Sequence, residues 1–116
     1  MTSGVHNWVF GQGETWVGEF SWLDAAGVPI DLTGYTAKMQ ARVTAVSPDT
    51  IIDLSTEGGE IILGGVAGSV EFRVHSEVTK NIDSGCYKYD IALTSSGGTV
   101  SRVLEGDLRV TAAVTR

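Results

Sequence analysis

Two histidines and one cysteine are the side chains that would have to carry nucleophilic or acid–base catalysis in this chain. His6 lies in a candidate strand near the N-terminus, His75 closes another candidate strand, and Cys86 opens a third. A catalytic pair needs a serine or cysteine held beside such a base, and no Gly-x-Ser-x-Gly element is present to hold one. We therefore interpret the histidines as solvated or strand-end residues and Cys86 as an inert, at least half-buried thiol. The sequence predicts no catalytic residue.

Metal and cofactor sites are not indicated either. Asp49, Asp53, Glu57 and Glu60 cluster along the sequence, but they lack the alternating oxygen ligands and the terminal bidentate glutamate of a calcium loop. The histidines and the cysteine are too few for a zinc site. Residues 11–13, Gly-Gln-Gly, precede a strand and lack the Gly-Lys-Ser/Thr of a phosphate loop. We interpret the carboxylates as a solvated acidic edge and residues 11–13 as a hairpin turn, and we expect neither a metal nor a cofactor.

Three tryptophans lie between positions 8 and 22. An exposed row of tryptophans would form a sugar-stacking platform or a protein-docking patch, whereas a row on the inner face of a strand would fill a core. Trp16 and Trp22 share one face of their strand with Phe20, which favours the core for these three residues. Trp8 lies outside that row, so it is the candidate contact residue among the tryptophans.

The two ends of the chain supply the other candidate contact residues. Phe10 lies on the same N-terminal strand as Trp8, and a short C-terminal segment follows the last strand. Terminal segments are free to be ordered by a neighbouring protein. The sequence therefore predicts a protein interface formed by Trp8, Phe10, Ala112, Val114 and Arg116.

Alternation of apolar and polar residues, the pattern of a half-buried strand, recurs along the chain. It is clearest at residues 35–43, where Ala37, Met39 and Ala41 share one face and polar or charged residues share the other. Fifteen glycines and two prolines interrupt such segments, as expected for many tight turns. The predicted strands are residues 5–10, 15–23, 35–43, 50–54, 60–63, 69–74, 86–94, 99–105 and 108–114.

The spacing of these strands predicts an all-β fold. We expect a single-domain antiparallel β-sandwich, Ig-like or jelly-roll, with a small barrel as the alternative. No crossover helices are predicted, so a parallel sheet is not expected. The connections include turns at residues 24–27 and 95–98, a turn or bulge at residues 106–107, and one helical turn capped by Ser76. The chain of 116 residues has the size of one domain, which we assign to residues 1–116.

Charge and composition exclude several function classes. Eight Lys and Arg residues face 14 Asp and Glu residues, which gives a formal net charge of −6. The cations are scattered, so neither a nucleic-acid surface nor a polybasic membrane patch is expected. The sequence has no apolar run long enough for a transmembrane helix, and its start lacks the features of a signal peptide. A single cysteine forms no internal disulfide, which fits assembly in a reducing cytoplasm.

One segment is more distinctive than any catalytic motif. Residues 13–42, GETWVGEFSWLDAAGVPIDLTGYTAKMQAR, combine a Gly-acidic-Thr start, an Asp-x-x-Gly turn, a Pro-Ile-Asp-Leu-Thr-Gly corner and an alternating strand. In this corner, Asp31 or Thr33 can bond nearby backbone amides, Leu32 can plug the end of a sandwich, and Gly34 can adopt a positive φ. We interpret these four residues as a structural corner.

The segment resembles small β-sandwich structural proteins of tailed bacteriophages, in particular the N-terminal domain of upper baseplate proteins of lactococcal phages.

This resemblance implies a non-enzymatic structural protein of a phage virion that is assembled in the cytoplasm of the bacterial host. Its partners would be other virion proteins, and it would form a homo-oligomer or a symmetric array. The relatives suggest an accessory or adaptor subunit of the tail or baseplate region. A capsid decoration (cement) protein that stabilises the head is the alternative. A carbohydrate-binding module that recognises the host surface is a third possibility, suggested by the tryptophans.

Overall fold

Nine strands and two short helical turns account for the regular structure of residues 4–44 and 46–114, the part of the chain that this computed structural model describes. The strands are β1 Gly4–Val5, β2 Trp8–Gly11, β3 Trp16–Ser21, β4 Thr36–Arg42, β5 Ile52–Ser55, β6 Ile61–Leu63, β7 Ser69–Val74, β8 Gly85–Thr94 and β9 Val100–Thr111. A 3-10 turn covers Gly65–Ala67, and a single α-helical turn, α1, covers Ser76–Thr79. Nowhere in these residues is a helix long and apolar enough to cross a membrane.

Two sheets face each other across one core, so the predicted all-β sandwich is confirmed. The larger sheet has the order β1-β9-β8-β4-β5, with β2 also paired to β9, and the smaller sheet has the order β3-β7-β6. Apolar side chains from both sheets form one buried cluster. Burial of this apolar surface is the main favourable term in folding.

The strongest alternating segments form the centre of the larger sheet. Ala37, Met39 and Ala41 of β4 are buried, as predicted. On β8 the inward positions are also alternate residues, and Met39 lies directly opposite Ile91 in the antiparallel register. The sequence pattern therefore identified both central strands and the face that each one buries.

The N-terminal strand departs from the antiparallel expectation. Both β1 and β2 pair with β9 in parallel, in one constant register that joins Gly4 to Leu104 and Gly11 to Thr111. Parallel strands need a long connection between them. Here the rest of the domain lies between these strands in the sequence and provides that connection, so no crossover helix is needed. The first and last strands of the described chain are therefore neighbours.

The last strand is longer than predicted and bends at a different residue. A turn or bulge was expected at residues 106–107, but β9 runs through these residues without a break. The irregularity lies at Val103, because Ile91 pairs with Leu104 while Ala92 pairs with Arg102. The additional residue makes Val103 and Leu104 consecutive buried residues, as a β-bulge allows.

Two local predictions were also wrong in detail. Ser76 is the first residue of α1 and not its cap: the N-cap is His75, and no side chain caps the turn. Residues 11–13 do not join a hairpin, because they connect β2 in the larger sheet to β3 in the smaller sheet. Turns at residues 24–27 and 95–98 are formed as predicted, closed by bonds from Gly27 N–H to Asp24 C=O and from Gly98 N–H to Ser95 C=O.

Gly18 makes room for the largest fully buried side chain of the core. It lies directly opposite Phe72 in the β3–β7 register. A methyl group on Gly18 would lie 2.2 Å from Phe72 Cζ, well inside van der Waals contact. The ring of Phe72 therefore occupies the space that a side chain at position 18 would need.

We predict that Gly18→Ala lowers the free energy of unfolding by about 1–3 kcal/mol, because it overpacks a filled core. Urea denaturation followed by tryptophan fluorescence measures the change. Gly97→Ala is the matched control, since its methyl group would come no closer than 3.9 Å to Ser95 Oγ in an exposed turn, and we expect a change within about 0.5 kcal/mol. Equal stability of the Gly18 variant and the wild type would contradict this account of the core.

Candidate interaction surface at the N-terminal strand

The N-terminal strand separates its side chains into two sets. Trp8 and Phe10 point towards the core, whereas Val5 and Val9 are 75% and 62% exposed. This alternation is the ordinary period of a strand with one buried face. The exposed valines are therefore accessible to a partner protein, whereas the aromatic residues predicted as contacts lie on the inner face.

Phe10 corrects one of the predicted interface residues. Its side chain is only 5% exposed, and its ring stacks on Trp16 with 4.8 Å between the centroids. Contact with a partner would require the strand to leave the core. Phe10 is therefore a core residue that anchors the N-terminal strand.

Trp8 is half-buried and has a similar anchoring role. Its ring makes edge-on contacts with Trp16 at 5.8 Å and with Phe72 at 5.5 Å, measured between centroids. The exposed His6 ring lies against its outer side, 4.4 Å away. Aromatic pairs of this geometry add to the stabilisation that burial provides. Most of the Trp8 surface is thus engaged within the protein, and the side chain is only partly accessible to a partner.

A short interruption between β1 and β2 is bridged by side chains. The Tyr89 hydroxyl donates a hydrogen bond to the His6 carbonyl, and the Asn7 Oδ1 accepts one from the Asp107 N–H at 3.0 Å. Gly106 permits this close crossing, because a Cβ atom there would lie 2.3 Å from the His6 carbonyl oxygen. These contacts hold the two halves of the N-terminal strand in one register on β9.

Burial of Tyr89 affects its ionisation. The side chain is 4% exposed, and loss of solvation raises the pKa of Tyr89 to about 12. The neutral hydroxyl is thus favoured in the folded protein, and it is the neutral form that donates to the His6 carbonyl. The resulting stabilisation is complete below the pKa of an unfolded tyrosine, about 10, and is lost as the pH rises through the folded pKa.

The C-terminal candidates are exposed but are held at their base. Ala112 is exposed and Val114 is 100% exposed, whereas Arg116 lies outside the described residues. Between them, the Ala113 N–H donates to Gln12 Oε1 at 3.0 Å, and Gln12 Nε2 donates to the Ile82 carbonyl at 2.8 Å. The segment therefore follows β9 beside the end of β2, where Gly11 pairs with Thr111.

The corner at residues 31–34 has the geometry that the sequence predicted. Asp31 Oδ1 accepts hydrogen bonds from the Thr33 hydroxyl at 2.6 Å and from the Thr33 N–H at 2.9 Å. Leu32 is 2% exposed and Gly34 has a φ of 82°. The Thr33 hydroxyl, followed by the Thr33 N–H, lowers the pKa of Asp31 because both bonds favour the carboxylate. The corner is also tied to the rest of the domain, because the Leu32 N–H donates to the Gly65 carbonyl at 2.9 Å.

The remaining tryptophans do not form an exposed platform. Trp16 is buried, as predicted, while Phe20 and Trp22 are half-buried and pack against the core. Trp22 contacts Tyr35 edge-on at 6.3 Å between ring centroids. A sugar-stacking surface needs accessible indole faces, and these side chains turn theirs towards other residues.

The groups considered for chemistry are dispersed. His75 lies at the start of α1, and Cys86 is exposed. The predicted burial of Cys86 was wrong because it occupies an outward position on β8. Asp53 lies on the edge strand β5, in agreement with an acidic edge. Within the described ranges, no three His, Cys, Asp or Glu side chains are grouped to hold a metal ion.

A polar groove of about 620 Å³ lies on the outer face of the larger sheet. Cations and carboxylates alternate along it: Lys88 pairs with Asp107, and Arg102 Nε lies 3.1 Å from Asp90 Oδ2. Exposed pairs of this kind contribute little to stability. Their balanced charges do not form the positive surface that a nucleic acid would need.

Comparison with known proteins adds the following findings. No family model and no curated protein matches the chain. Among solved structures, it is similar to part of a family 123 glycoside hydrolase from Clostridium perfringens that hydrolyses glycolipid glycans, with a TM-score of 0.44 and 10% identity over 100% of this chain and 24% of the hydrolase chain. It is also similar to part of extracellular domains 3–5 of Drosophila OTK, with a TM-score of 0.35 and 14% identity over 97% of this chain and 33% of the other. Similarities this weak carry no argument about function.

We predict that Tyr89→Phe removes a pH dependence from the stability of the domain. Near neutral pH the variant is less stable by about 1 kcal/mol, since it lacks the hydrogen bond to His6. Between about pH 10 and 12 the wild type loses the contribution of Tyr89, so the difference between the two proteins narrows. Urea denaturation of both proteins at stepped pH measures this difference. A difference that stays constant up to the alkaline limit of folding would contradict the assignment.

We also predict that Thr33→Val raises the pKa of Asp31 towards the ordinary aspartate value, because the hydroxyl bond is the main cause of its depression. A carbon-13 titration of the aspartate carboxyl groups measures this pKa directly. Thr36→Val, at an exposed position of β4, is the control and leaves the titration of Asp31 unchanged. An unchanged Asp31 titration in the Thr33 variant would exclude the proposed role of the hydroxyl.

Proposed function

We propose that this protein is a non-enzymatic structural subunit of a tailed-bacteriophage virion, an accessory or adaptor component of the tail or baseplate region that docks on other virion proteins. The observation that carries the proposal is the pair of turns in residues 13–42, the segment with the phage resemblance. Both turns are formed by the residues that define the motif. The proposal includes a homo-oligomer or symmetric array and a location in the virion after assembly in the host cytoplasm.

The first of these turns is closed by its own aspartate. Asp24 Oδ1 accepts hydrogen bonds from the Ala26 N–H at 2.9 Å and from the Val28 N–H at 3.0 Å, and Gly27 has a φ of 80°. The second turn, at Asp31, uses the same device. Aspartate is favoured here because its side chain accepts backbone hydrogen bonds, and glycine because it tolerates a positive φ. This supports the interpretation that the motif is a fold element shared by this chain and the phage proteins.

A capsid decoration protein is the alternative within the same proposal. A sandwich of 12.3 kDa has a suitable size for linking neighbouring capsomers from outside, where many weak contacts repeated by symmetry give a stable assembly. The two roles differ in copy number, since a capsid lattice offers many more equivalent positions than a tail ring.

A carbohydrate-binding role receives less support. It was suggested by the cluster of tryptophans, yet Trp16 is buried and the other two indoles are engaged with neighbouring rings. We expect tryptophan fluorescence to be insensitive to added glycans, and a saturable change on titration with a host surface glycan would favour this role instead.

The test of the proposal is the stoichiometry of this chain in purified virions of the phage or prophage that encodes it, measured by quantitative mass spectrometry against the major capsid protein. We expect at most about one copy per thirty capsid subunits, as for a ring in the tail or baseplate. A ratio near one to one, or one to a few, would assign the protein to the capsid surface. Absence of the chain from the particles would overturn the virion proposal.

A further inference from the structure

Within residues 4–44 and 46–114, no strand pairs with the outer edge of the N-terminal strand. The His6 N–H donates to the Glu105 carbonyl and the Gln12 N–H donates to the Thr111 carbonyl. In a parallel pair, alternate residues direct both N–H and C=O towards the neighbouring strand. The residues between them, including Val5 and Val9, therefore direct both groups away from β9.

Among the sheet edges of the described residues, this one is the longest without a charged side chain. The edge strand β5 carries the exposed Asp53, and the edge strand β3 carries the exposed Glu19. The third, β6, carries no charge but has only three residues. The N-terminal edge is longer, and residues 4–11, GVHNWVFG, contain no Lys, Arg, Asp or Glu. Charged side chains on edge strands are the usual protection against pairing with another strand, and the N-terminal edge lacks this protection.

The overall charge restricts where two copies of this chain can meet. At a net charge of −6, two copies repel each other, and carboxylates brought together at an interface would add to this repulsion. The edges at Asp53 and Glu19 would bring such carboxylates together in a two-fold pair. The N-terminal edge brings together only uncharged residues and His6.

We propose that the outer edge of the N-terminal strand is a self-association surface, on which a second copy of this chain pairs through the same edge in antiparallel orientation. A two-fold axis at Asn7 places Val5 opposite Val9 of the second copy, and Val9 opposite its Val5. In each of these two pairs the N–H and C=O of both residues face each other, so that the pairs form four backbone hydrogen bonds. The pairing joins the two larger sheets into one continuous sheet.

The exposed side chains agree with this register. Val5 and Val9, which are 75% and 62% exposed in the single chain, become cross-strand neighbours, and β-branched pairs of this kind stabilise sheets. On β9, Glu105 lies beside Val5 and Arg109 lies beside Val9. Across the proposed interface, each row then consists of Glu105 and Val5 of one copy followed by Val9 and Arg109 of the second copy. Such a row has a carboxylate at one end and a guanidinium at the other, whereas a parallel pairing would place like charges at both ends.

The size of the edge predicts a weak dimer. Eight residues at about 3.3 Å each form a strand of roughly 26 Å, and one strand pair buries less than the roughly 1,200 Å² of a stable interface. We therefore expect a reversible dimer with a dissociation constant on the order of 10–100 µM. This inference depends on the strand alone and not on the virion proposal, so either can fail without the other.

Sedimentation velocity of the purified full chain over a concentration series that spans about 1–500 µM is the primary test. We expect the wild type to change from monomer to dimer across this range. Val9→Lys places a charge on the edge at an exposed position, and we expect it to weaken dimerisation at least tenfold. Val17→Lys is the matched control, because Val17 is exposed on the edge strand β3, and it leaves the dimer unchanged. Circular dichroism checks that each variant is folded.

The register is tested by a charge exchange. Val5→Lys combined with Val9→Glu in one chain places an introduced ammonium opposite an introduced carboxylate in both pairs, and each lies beside the opposite charge on β9, Glu105 or Arg109, so we expect it to restore the dimer. Val5→Lys combined with Val9→Lys keeps the chain monomeric. A wild type that is monomeric throughout the series, or equal losses in the Val9 and Val17 variants, would overturn the proposal. Failure of the charge exchange to restore the dimer would overturn the antiparallel register.

Discussion

The parallel ladder between the first strand and the last is the interaction on which the rest of this structure depends. It aligns residues 4–11 with β9 in one register, and it is held from the inside by Trp8 and Phe10, which pack on Trp16 and Phe72. The two aromatic side chains connect the larger sheet to the smaller one. Beyond the end of the ladder, Gln12 holds the C-terminal segment beside the end of β2.

This arrangement determines which surfaces are available. Because the aromatic residues of the N-terminal strand are used to bind the strand to its own domain, the valines on the other face and the outer backbone edge are left for a partner. The edge strands β3 and β5 carry carboxylates, the edge strand β6 has only three residues, and the outer face of the larger sheet carries balanced ion pairs. The surface suited to assembly is therefore the small outer edge of residues 4–11, which contain no charged side chain.

Local elements were predictable from the sequence, and elements that depend on distant neighbours were not. The corner at Asp31 and the turn at Asp24 form through bonds within four residues, so that their sequence contains all the necessary partners. The buried faces of β4 and β8 follow from their period of two. Cys86 was misplaced although the alternation of β8, with Tyr87 and Tyr89 inward, already puts it on the outward face. The bulge at Val103 was missed because it arises from pairing with β8.

The candidate interaction surface shows the same division between what local sequence predicts and what distant neighbours decide. Period-two alternation in GVHNWVFG already separates Trp8 and Phe10 from Val5 and Val9, but it does not say which of the two sets faces the core. That choice is made by the pairing of β2 with β9, between residues 100 positions apart, and by the arrival of Phe72 from the other sheet. The sequence alone determined that the protein is an all-β sandwich with particular turns, since these follow from short-range periodicity and backbone preferences. Only the tertiary structure decided the parallel first strand, its buried aromatic side and its free edge, because these depend on contacts between segments that the chain order keeps far apart.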